Sequence, residues 1–374
     1  MVLVKKGTIQ LPLHLGHAPQ WLVRRMEKLS YAISKLIVEE HGQHEFLKRI
    51  SDPLWFQAFG CVLGFDWHSS GLTTVVTGVL KQALKADTHG VMLAGGKGAK
   101  AVNTVNDIAA ACETFSLSDA KLNELVYASR ISAKIDNAAV QDGYTLYHHT
   151  MLMAEDGSWA VVQQGMNPDN KMARRYHWLA DSIESFVNEP HSGIISDLTS
   201  EQVLNMTSRL SDECRKTCVD IANSNPNNVL SSVRKLPIKN SLDQWISPTA
   251  NVEAYVMPWK LDWGLFRKIY DVKPRNYEEL ITIKGVGPSA VRALALIAEL
   301  IYGIRPSWND PVKFSFAHGG KDGVPYPVDR RTYDKSVKIL MDAIEGAEVE
   351  RETRFKALKR LAVYSQTLFP NQPV

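Results

Sequence analysis

The chain has 374 residues and a mass of 41.8 kDa, with 45% hydrophobic and 22% charged residues. This balance is typical of globular proteins and excludes disordered, collagen-like and coiled-coil chains. No apolar run approaches the ~20 residues of a membrane helix, and the first ten residues lack the apolar core of a signal peptide, so we expect a cytoplasmic protein. Residues 1–252 hold 24 Lys and Arg against 25 Asp and Glu, whereas residues 253–374 hold 19 against 15. This excess of positive charge favours an anionic partner for the last third.

Apolar spacing predicts the elements of the first 225 residues in chain order. A strand is expected at 90–94, and two more at 144–153 and 158–164. Asp156-Gly157 separates the last two, and Asp-Gly between β-rich runs indicates a hairpin. Helices are predicted over 21–40, 73–85, 104–114, 119–133, 172–187 and 200–224.

Two breaks place a domain boundary between residues 225 and 260. They are the string NSNPNN at 223–228 and the proline-containing stretch 236–258. We therefore expect an α+β fold that is mainly α. Its mixed domain, with a small β-sheet, covers residues 1–240, and an all-helical domain covers residues 241–374. The four cysteines are too few for a disulfide scaffold, and Cys214 and Cys218 are expected to be reduced structural residues rather than zinc ligands.

The most specific motif lies at residues 277–303. A short helix, the turn KGVG and a longer helix that begins with proline resemble a helix-hairpin-helix, a motif that binds DNA without reading its sequence. Gly285 and Gly287 leave no side chain between the backbone and a ligand, and the N–H groups at the start of the second helix can donate to a phosphate oxygen. Lys284 adds a charge and Ser289 a hydroxyl. The alternative is a helical hairpin without a ligand.

A second resemblance follows downstream. Asp329, in the string VDRR before a predicted helix, resembles the aspartate segment of helix-hairpin-helix DNA glycosylases. There the carboxylate stabilises a developing sugar cation, so the resemblance implies catalysis by Asp329. The alternative is an N-cap, because no lysine nucleophile precedes the hairpin and a long insertion, 305–327, would separate Asp329 from it. In the glycine-rich string HGGKDG, Lys321 is a candidate contact for a DNA backbone.

Polar residues also concentrate in the first domain, where we expect a phosphodiester site. Acid–base or metal roles are assigned to Asp136, Asp142, His148, His149, Gln164 and His177. Contacts to the phosphate of the reacting strand are assigned to Arg130, Lys134, Arg174 and Arg175.

The chemistry of that site stays open. Strand alternation places Tyr147 and His149 on one face of the sheet and His148 on the other. The carboxylate pattern that usually holds Mg²⁺ has no clean match, so Mg²⁺ or Mn²⁺ catalysis and metal-free catalysis by His and Arg both remain. The alternative is a structural network of hydrogen bonds with surface charge.

Seven strings resemble an archaeal and bacterial family, the domain-of-unknown-function 763 proteins, over about residues 10–340. The resemblance implies no reaction, but it implies that these polar strings belong to a family pattern. They are SDPLWFQAFGCVLGFDWHSSGLTT, GGKG, ASRISAKID, QDGYTLYHH, VVQQGMN, ARRYHW and FAHGGKDGVPYPVD.

Together these observations predict a DNA-binding protein that processes single-stranded or structured DNA, as a repair-type nuclease without sequence preference. One alternative is a DNA glycosylase that uses Asp329. The other is a non-catalytic DNA-binding or scaffold protein. No membrane partner is expected.

Overall fold

The computed structural model describes residues 20–65, 71–196, 198–200, 202–234, 262–312, 314–315 and 330–368. Helices surround one antiparallel sheet, which confirms the expected α+β class with mainly α content. No helix of these ranges has the length and apolarity to cross a lipid bilayer. The helices are α1 (Gln20–Ile50), α2 (Pro53–Leu63), α3 (Gly71–Ala83), α4 (Ala86–His89), α5 (Ala99–Val102), α6 (Thr104–Thr114), α7 (Asp119–Lys134), α8 (Asp212–Asn223), α9 (Pro226–Arg234), α10 (Trp263–Val272), α11 (Tyr277–Thr282), α12 (Pro288–Tyr302), α13 (Arg330–Gly346) and α14 (Arg351–Leu368).

The main sheet has the strand order β1-β3-β4-β5-β6-β8, and a separate two-stranded ladder joins β2 to β7. All pairs are antiparallel except β6 with β8. The strands are β1 (Val91–Lys97), β2 (Val140–Gln141), β3 (Thr145–Ala154), β4 (Trp159–Asn167), β5 (Met172–Leu179), β6 (Gly193–Ser196), β7 (Leu204–Asn205) and β8 (Phe314–Ser315).

The predicted hairpin is confirmed: β3 and β4 pair in antiparallel register across a turn in which Gly157 has φ +83°. The helix predicted over 172–187 is wrong, because this segment forms β5 and pairs with β4. Both faces of β5 are buried, so its side chains do not show the polar–apolar alternation of a half-exposed strand. Of the helix predicted over 200–224, only α8 forms, and the strand β7 precedes it.

The sheet packs between two layers of helices. One face packs on α1–α3, whose core α13 and α14 share, and the other packs on α6 and α7, whose core α8 and α10–α12 share. Residues from both sides of position 240 therefore share each core, and the division into two domains stays a prediction. Representative core residues are Phe56, Leu152, Val162, Leu340 and Leu361 on the first face, and Met151, Val161, Trp178, Cys218 and Leu294 on the second.

Local sequence sets the bounds of α2, which is buried along its whole length. The carboxylate of Asp52 accepts from the N–H groups of Leu54 and Trp55, Pro53 occupies the first turn, and Gly64 ends the helix in a left-handed conformation. α2 crosses α3 closely: a Cβ added at Gly60 would lie 2.7 Å from the side chain of the fully buried Leu72. The missing side chain at Gly60 thus sets the separation of the two helices.

We expect Gly60→Ala to lower the free energy of unfolding by about 1–3 kcal/mol, because Leu72 has no space to move away in a packed core. The matched control is Gly78→Ala on the exposed side of α3, where an added Cβ meets nothing within 4 Å. That change should be neutral or stabilise by up to about 1 kcal/mol, as Ala is the better helix former. Urea unfolding of the two variants measures the difference, and equal stabilities would contradict the close crossing.

Candidate functional site

The loop between α11 and α12 exposes its backbone. Gly285 adopts φ +105°, and the turn closes where the N–H of Val286 donates to the carbonyl of Ile283 at 3.1 Å. α12 begins after Gly287, and no side chain caps its first N–H groups. The loop residues Lys284 and Gly285 and the first-turn residue Ser289 are exposed. The short helix, turn and long helix thus lie where the sequence predicts them.

The sheet separates the predicted catalytic residues onto two faces. His148, Gln164, Arg175 and His177 project towards α2 and α3, whereas His149 and Arg174 project towards the opposite layer. The predicted divergence of His148 and His149 is confirmed. The residues predicted to form one cluster therefore belong to two separate networks.

Tyr147 lies on the face of His148, so its predicted position beside His149 is wrong. A register shift between Leu146 and His148 interrupts the alternation of β3. The hydroxyl of Tyr147 consequently meets the amide of Gln164, which is the cross-strand partner of His148.

Arg175 and His177 form a buried structural network, which corrects their predicted roles. The Arg175 guanidinium donates to Gln57 Oε1 at 3.0 Å and to Thr73 Oγ1 at 3.2 Å, and its Nε donates to His177 Nε2 at 2.9 Å. His177 Nδ1 in turn donates to the carbonyl of Ile50. Both side chains have no exposed surface, so Arg175 is not positioned to receive a phosphate from solvent.

His148 is held neutral. Its burial, with smaller effects of His149 and Lys97, lowers its pKa to about 3. The hydroxyl of Thr77 donates to the carbonyl of Thr73 at 2.8 Å and lies 2.9 Å from His148 Nε2, so that nitrogen is the donor. An imidazole with this pKa does not exchange protons near neutral pH, which argues against acid–base catalysis by His148.

On the other face, the carboxylate of Asp136 is the centre of a buried network. One oxygen accepts from Gln163 Nε2 at 2.6 Å and from Trp178 Nε1 at 2.9 Å, and the other lies 2.5 Å from His191 Nε2. Asp136 has no exposed surface and belongs to a π-helical turn that follows α7. Such turns are frequent at functional sites.

A chain of hydrogen bonds extends this network. The Gln163 amide donates to Asp136, so its Oε1 accepts from His149 Nδ1 at 2.8 Å. His149 Nε2 then accepts from the hydroxyl of Ser129 at 2.8 Å. Burial lowers the pKa of His149, which suits a neutral ring in this chain. At its other end, Asp136 accepts from His191 Nε2.

Arg174, predicted to contact a phosphate, is buried between two carboxylates and has no exposed surface. Its guanidinium donates to Asp142 Oδ2 at 2.9 Å and to both oxygens of Asp310 at 2.9 and 2.8 Å. Burial opposes the charged form, but the two carboxylates prevail and raise the pKa of Arg174. Burial raises the pKa of Asp142 despite the ion pair. Asp142 also accepts from the hydroxyl of Tyr176, so it is occupied by structural contacts.

The Asp136 network, through His191, and the ion pairs of Arg174, through Asp310, both reach a cavity of about 250 Å³. We name this cavity the His191 pocket. Sequence reasoning missed His191, Asn205 and Asp310. The only signal was polar strings beside short apolar runs, PHSGIIS and VLNMTS. The ring of Trp178 packs against His191 at a centroid distance of 4.5 Å and so fixes the imidazole. The pocket is lined by Glu189, His191, Ile194, Asn205, Thr207, Ser208, Ser307, Asn309, Asp310, Pro311 and Val312.

The remaining candidates lie elsewhere. Arg130 is exposed on α7 and Lys134 is half-buried there, with its pKa lowered by burial, and neither lines the His191 pocket. Lys321 and Asp329 lie outside the described residues. Within the described ranges, no group of three His, Cys, Asp or Glu side chains is placed to hold a metal ion. The buried thiols of Cys214 and Cys218 are reduced.

A series of contacts connects the His191 pocket to the α11–α12 loop. The amide of Gln141 donates to the carbonyl of Pro288 at 2.8 Å and accepts from Arg292 at 2.9 Å. Gln141 belongs to β2, whose partner strand β7 contributes Asn205 to the pocket. The chain after α12 returns to the pocket with Ser307. α12 thus connects the exposed loop to the pocket wall.

A family model described as "Protein of unknown function (DUF763)" matches residues 7–328. No curated protein and no solved structure matches the chain.

The neutral state of His148 predicts a pH-dependent stability. Because the folded pKa of about 3 lies below the unfolded value of ~6.5, the unfolded chain binds a proton first as pH falls. The stability is fully present above pH ~6.5 and decreases below it by about 1.4 kcal/mol per pH unit.

His148→Gln removes this titration. Between pH 7.5 and pH 5, we expect the variant to lose about 2 kcal/mol less unfolding free energy than the parent chain. Urea unfolding at both pH values gives the double difference, and identical pH dependences would show that His148 titrates normally.

Proposed function

We propose that this chain, which belongs to the protein family of unknown function DUF763, binds DNA by its sugar–phosphate backbone through the loop between α11 and α12. The observation that carries the proposal is the exposed, uncapped start of α12 directly after a glycine turn. N–H groups at a helix start lack partners within the helix, and although Pro288 contributes none, those of the following residues together with the helix dipole attract an anion. The resemblance of this segment to a helix-hairpin-helix supports the same contact.

Charge and space at the loop suit a phosphate. The ammonium group of Lys268 donates to the carbonyl of Lys284 at 3.2 Å, which places a second cation beside the loop. A Cβ added at Gly287 would meet nothing nearer than the Gly285 carbonyl at 3.9 Å, so the backbone of Gly287 faces open space. Such contacts neutralise phosphates and read no bases, so the binding is independent of sequence and sensitive to salt.

We further propose that a bound strand is hydrolysed beside His191. In this proposal His191 takes a proton from water, the water oxygen attacks phosphorus, and the bond from phosphorus to the leaving sugar oxygen breaks as that oxygen takes the proton. Asp136 supports this role, because its buried carboxylate fixes the donor nitrogen and stabilises the protonated ring. The chain is thus proposed to be a DNA-processing hydrolase, and a cytoplasmic location stays a prediction.

Gly287→Leu tests the DNA contact. Its φ of −126° suits any residue, so the variant should fold, but the added side chain occupies the position of the phosphate. We expect DNA affinity to fall about ten- to hundredfold, the value of one or two charge-assisted hydrogen bonds. Fluorescence anisotropy with labelled single-stranded and gapped duplex DNA measures the change. Gly78→Leu, on the exposed face of α3, is the control, and equal affinities of the two variants would exclude this loop.

His191→Ala tests the hydrolysis. We expect strand cleavage to fall about 10²- to 10⁴-fold, the usual contribution of a general base, with DNA affinity unchanged. Labelled single-stranded, duplex and branched DNA is incubated with Mg²⁺, Mn²⁺ or EDTA, and products are compared before and after alkali. Partial rescue of the variant by added imidazole would separate a chemical role from a structural one.

Three results would count against the hydrolytic proposal. Undiminished cleavage by His191→Ala places the catalytic centre elsewhere. Cuts that appear only after alkali indicate a glycosylase. Bound but uncut DNA under every metal condition leaves a binding protein.

A further inference from the structure

The amide of Asn205 is oriented by its neighbours and directs a donor to the His191 pocket. Its Oδ1 accepts from the N–H of Thr207 at 3.0 Å and from the Thr207 hydroxyl at 2.7 Å. Both donors fix Oδ1, so the NH₂ group lies on the other side of the amide. Asn205 is 6% exposed and lines the pocket, and its NH₂ group donates to none of the described residues. This donor is open to the pocket, where a ligand oxygen can accept from it.

The backbone of the pocket wall is strained at one residue. Glu189 adopts φ +48°, a left-handed conformation that non-glycine residues rarely take. It is held there by the hydrogen bond from its N–H to the carbonyl of Thr207 at 2.7 Å. Such strain clusters at ligand sites, where the surrounding structure imposes it. Thr207 therefore both holds the backbone of Glu189 and orients the amide of Asn205.

The two carboxylates that line the pocket, Asp310 and Glu189, already have partners in the protein. Both oxygens of Asp310 are occupied, since they accept from Arg174 and from the N–H groups of Ser200 and Val312. Glu189 pairs with the exposed Arg209, with Nε and Oε2 3.2 Å apart. Arg209, which does not itself line the pocket, thus balances the charge of Glu189 at its edge.

The volume and the lining of the pocket indicate which kind of ligand fits. The volume of about 250 Å³ lies just below the roughly 300–1,000 Å³ of sites for drug-sized ligands, so the pocket has room for one small ring compound and none for a duplex. Ile194, Pro311 and Val312 provide an apolar wall for a flat ring. The NH₂ group of Asn205 suits the carbonyl oxygen of that ring.

We infer that the His191 pocket receives one unpaired nucleoside of a DNA strand, with a carbonyl oxygen of its base accepting from Asn205. A base inside a duplex cannot reach such a cavity without leaving the stack, and this costs least in single-stranded or damaged DNA. The inference deepens the proposed function and rests on it for its DNA substrate. It makes strands with an unpaired base that carries a carbonyl oxygen preferred over strands whose unpaired base is adenine, which has none.

Asn205→Asp is the sharpest variant. It keeps an oxygen for the donors of Thr207 but replaces the NH₂ group with an acceptor that repels a base carbonyl. Asn227→Asp, on the exposed start of α9, introduces the same charge as a control. Ligand-observed saturation-transfer NMR with thymidine 5′-monophosphate measures binding to the full chain, and deoxyribose 5-phosphate serves as the ligand without a base.

We expect the parent chain and Asn227→Asp to bind the nucleotide, and Asn205→Asp to bind it about tenfold more weakly. Deoxyribose 5-phosphate should bind weakly to all three. No saturation transfer to the parent chain, equal binding by Asn205→Asp, or equal binding of the ligand without a base would each overturn the inference.

The Gly287→Leu variant separates the two proposals. If the loop and the pocket act as inferred, this variant loses DNA affinity but retains the nucleotide. A parent chain that binds the nucleotide but fails to bind DNA would overturn the proposed function and leave the pocket assignment intact. A parent chain that binds DNA but not the nucleotide would overturn the pocket assignment and leave the proposed function intact.

Discussion

The buried carboxylate of Asp136 constrains the rest of the site. Moving a carboxylate out of water costs several kcal/mol unless hydrogen bonds replace its hydration. The three replacements come from Gln163 on β4, Trp178 on β5 and His191 before β6. These elements must therefore meet at the π-helical turn after α7, and their meeting fixes both the centre of the sheet and the orientation of His191.

The same cost of burying a charge applies to the two buried arginines. Arg174 and Arg175 are neighbours on β5, and strand alternation sends them to opposite faces of the sheet. Each has internal partners, Arg174 in two carboxylates and Arg175 in neutral acceptors. Their contacts join segments distant in sequence, as in the pairing of Arg174 with Asp310. Both arginines therefore act as structural residues rather than as contacts for a ligand at the surface.

α12 gives the proposed function its geometry. Its exposed start carries the open N–H groups, while Gln141 links that start to the ladder that bears Asn205. Contacts on one packed scaffold hold the α11–α12 loop, proposed to bind a DNA backbone, and the His191 pocket, proposed to receive a nucleoside, in a fixed relation. A strand bound at the loop would thus be presented to the pocket without a large rearrangement.

The sequence by itself determined the features that depend on near neighbours. These include the α+β class, the β3–β4 hairpin at Asp156-Gly157 and the glycine loop before α12, because turn chemistry and helix caps act over a few residues. Only the tertiary structure decided that residues 172–179 form a strand and that Tyr147 follows a bulge. It also decided that Asp136 meets His191, 55 residues away, and that Arg174 meets Asp310, 136 residues away. Such pairs depend on which buried faces oppose each other, and no local pattern encodes that.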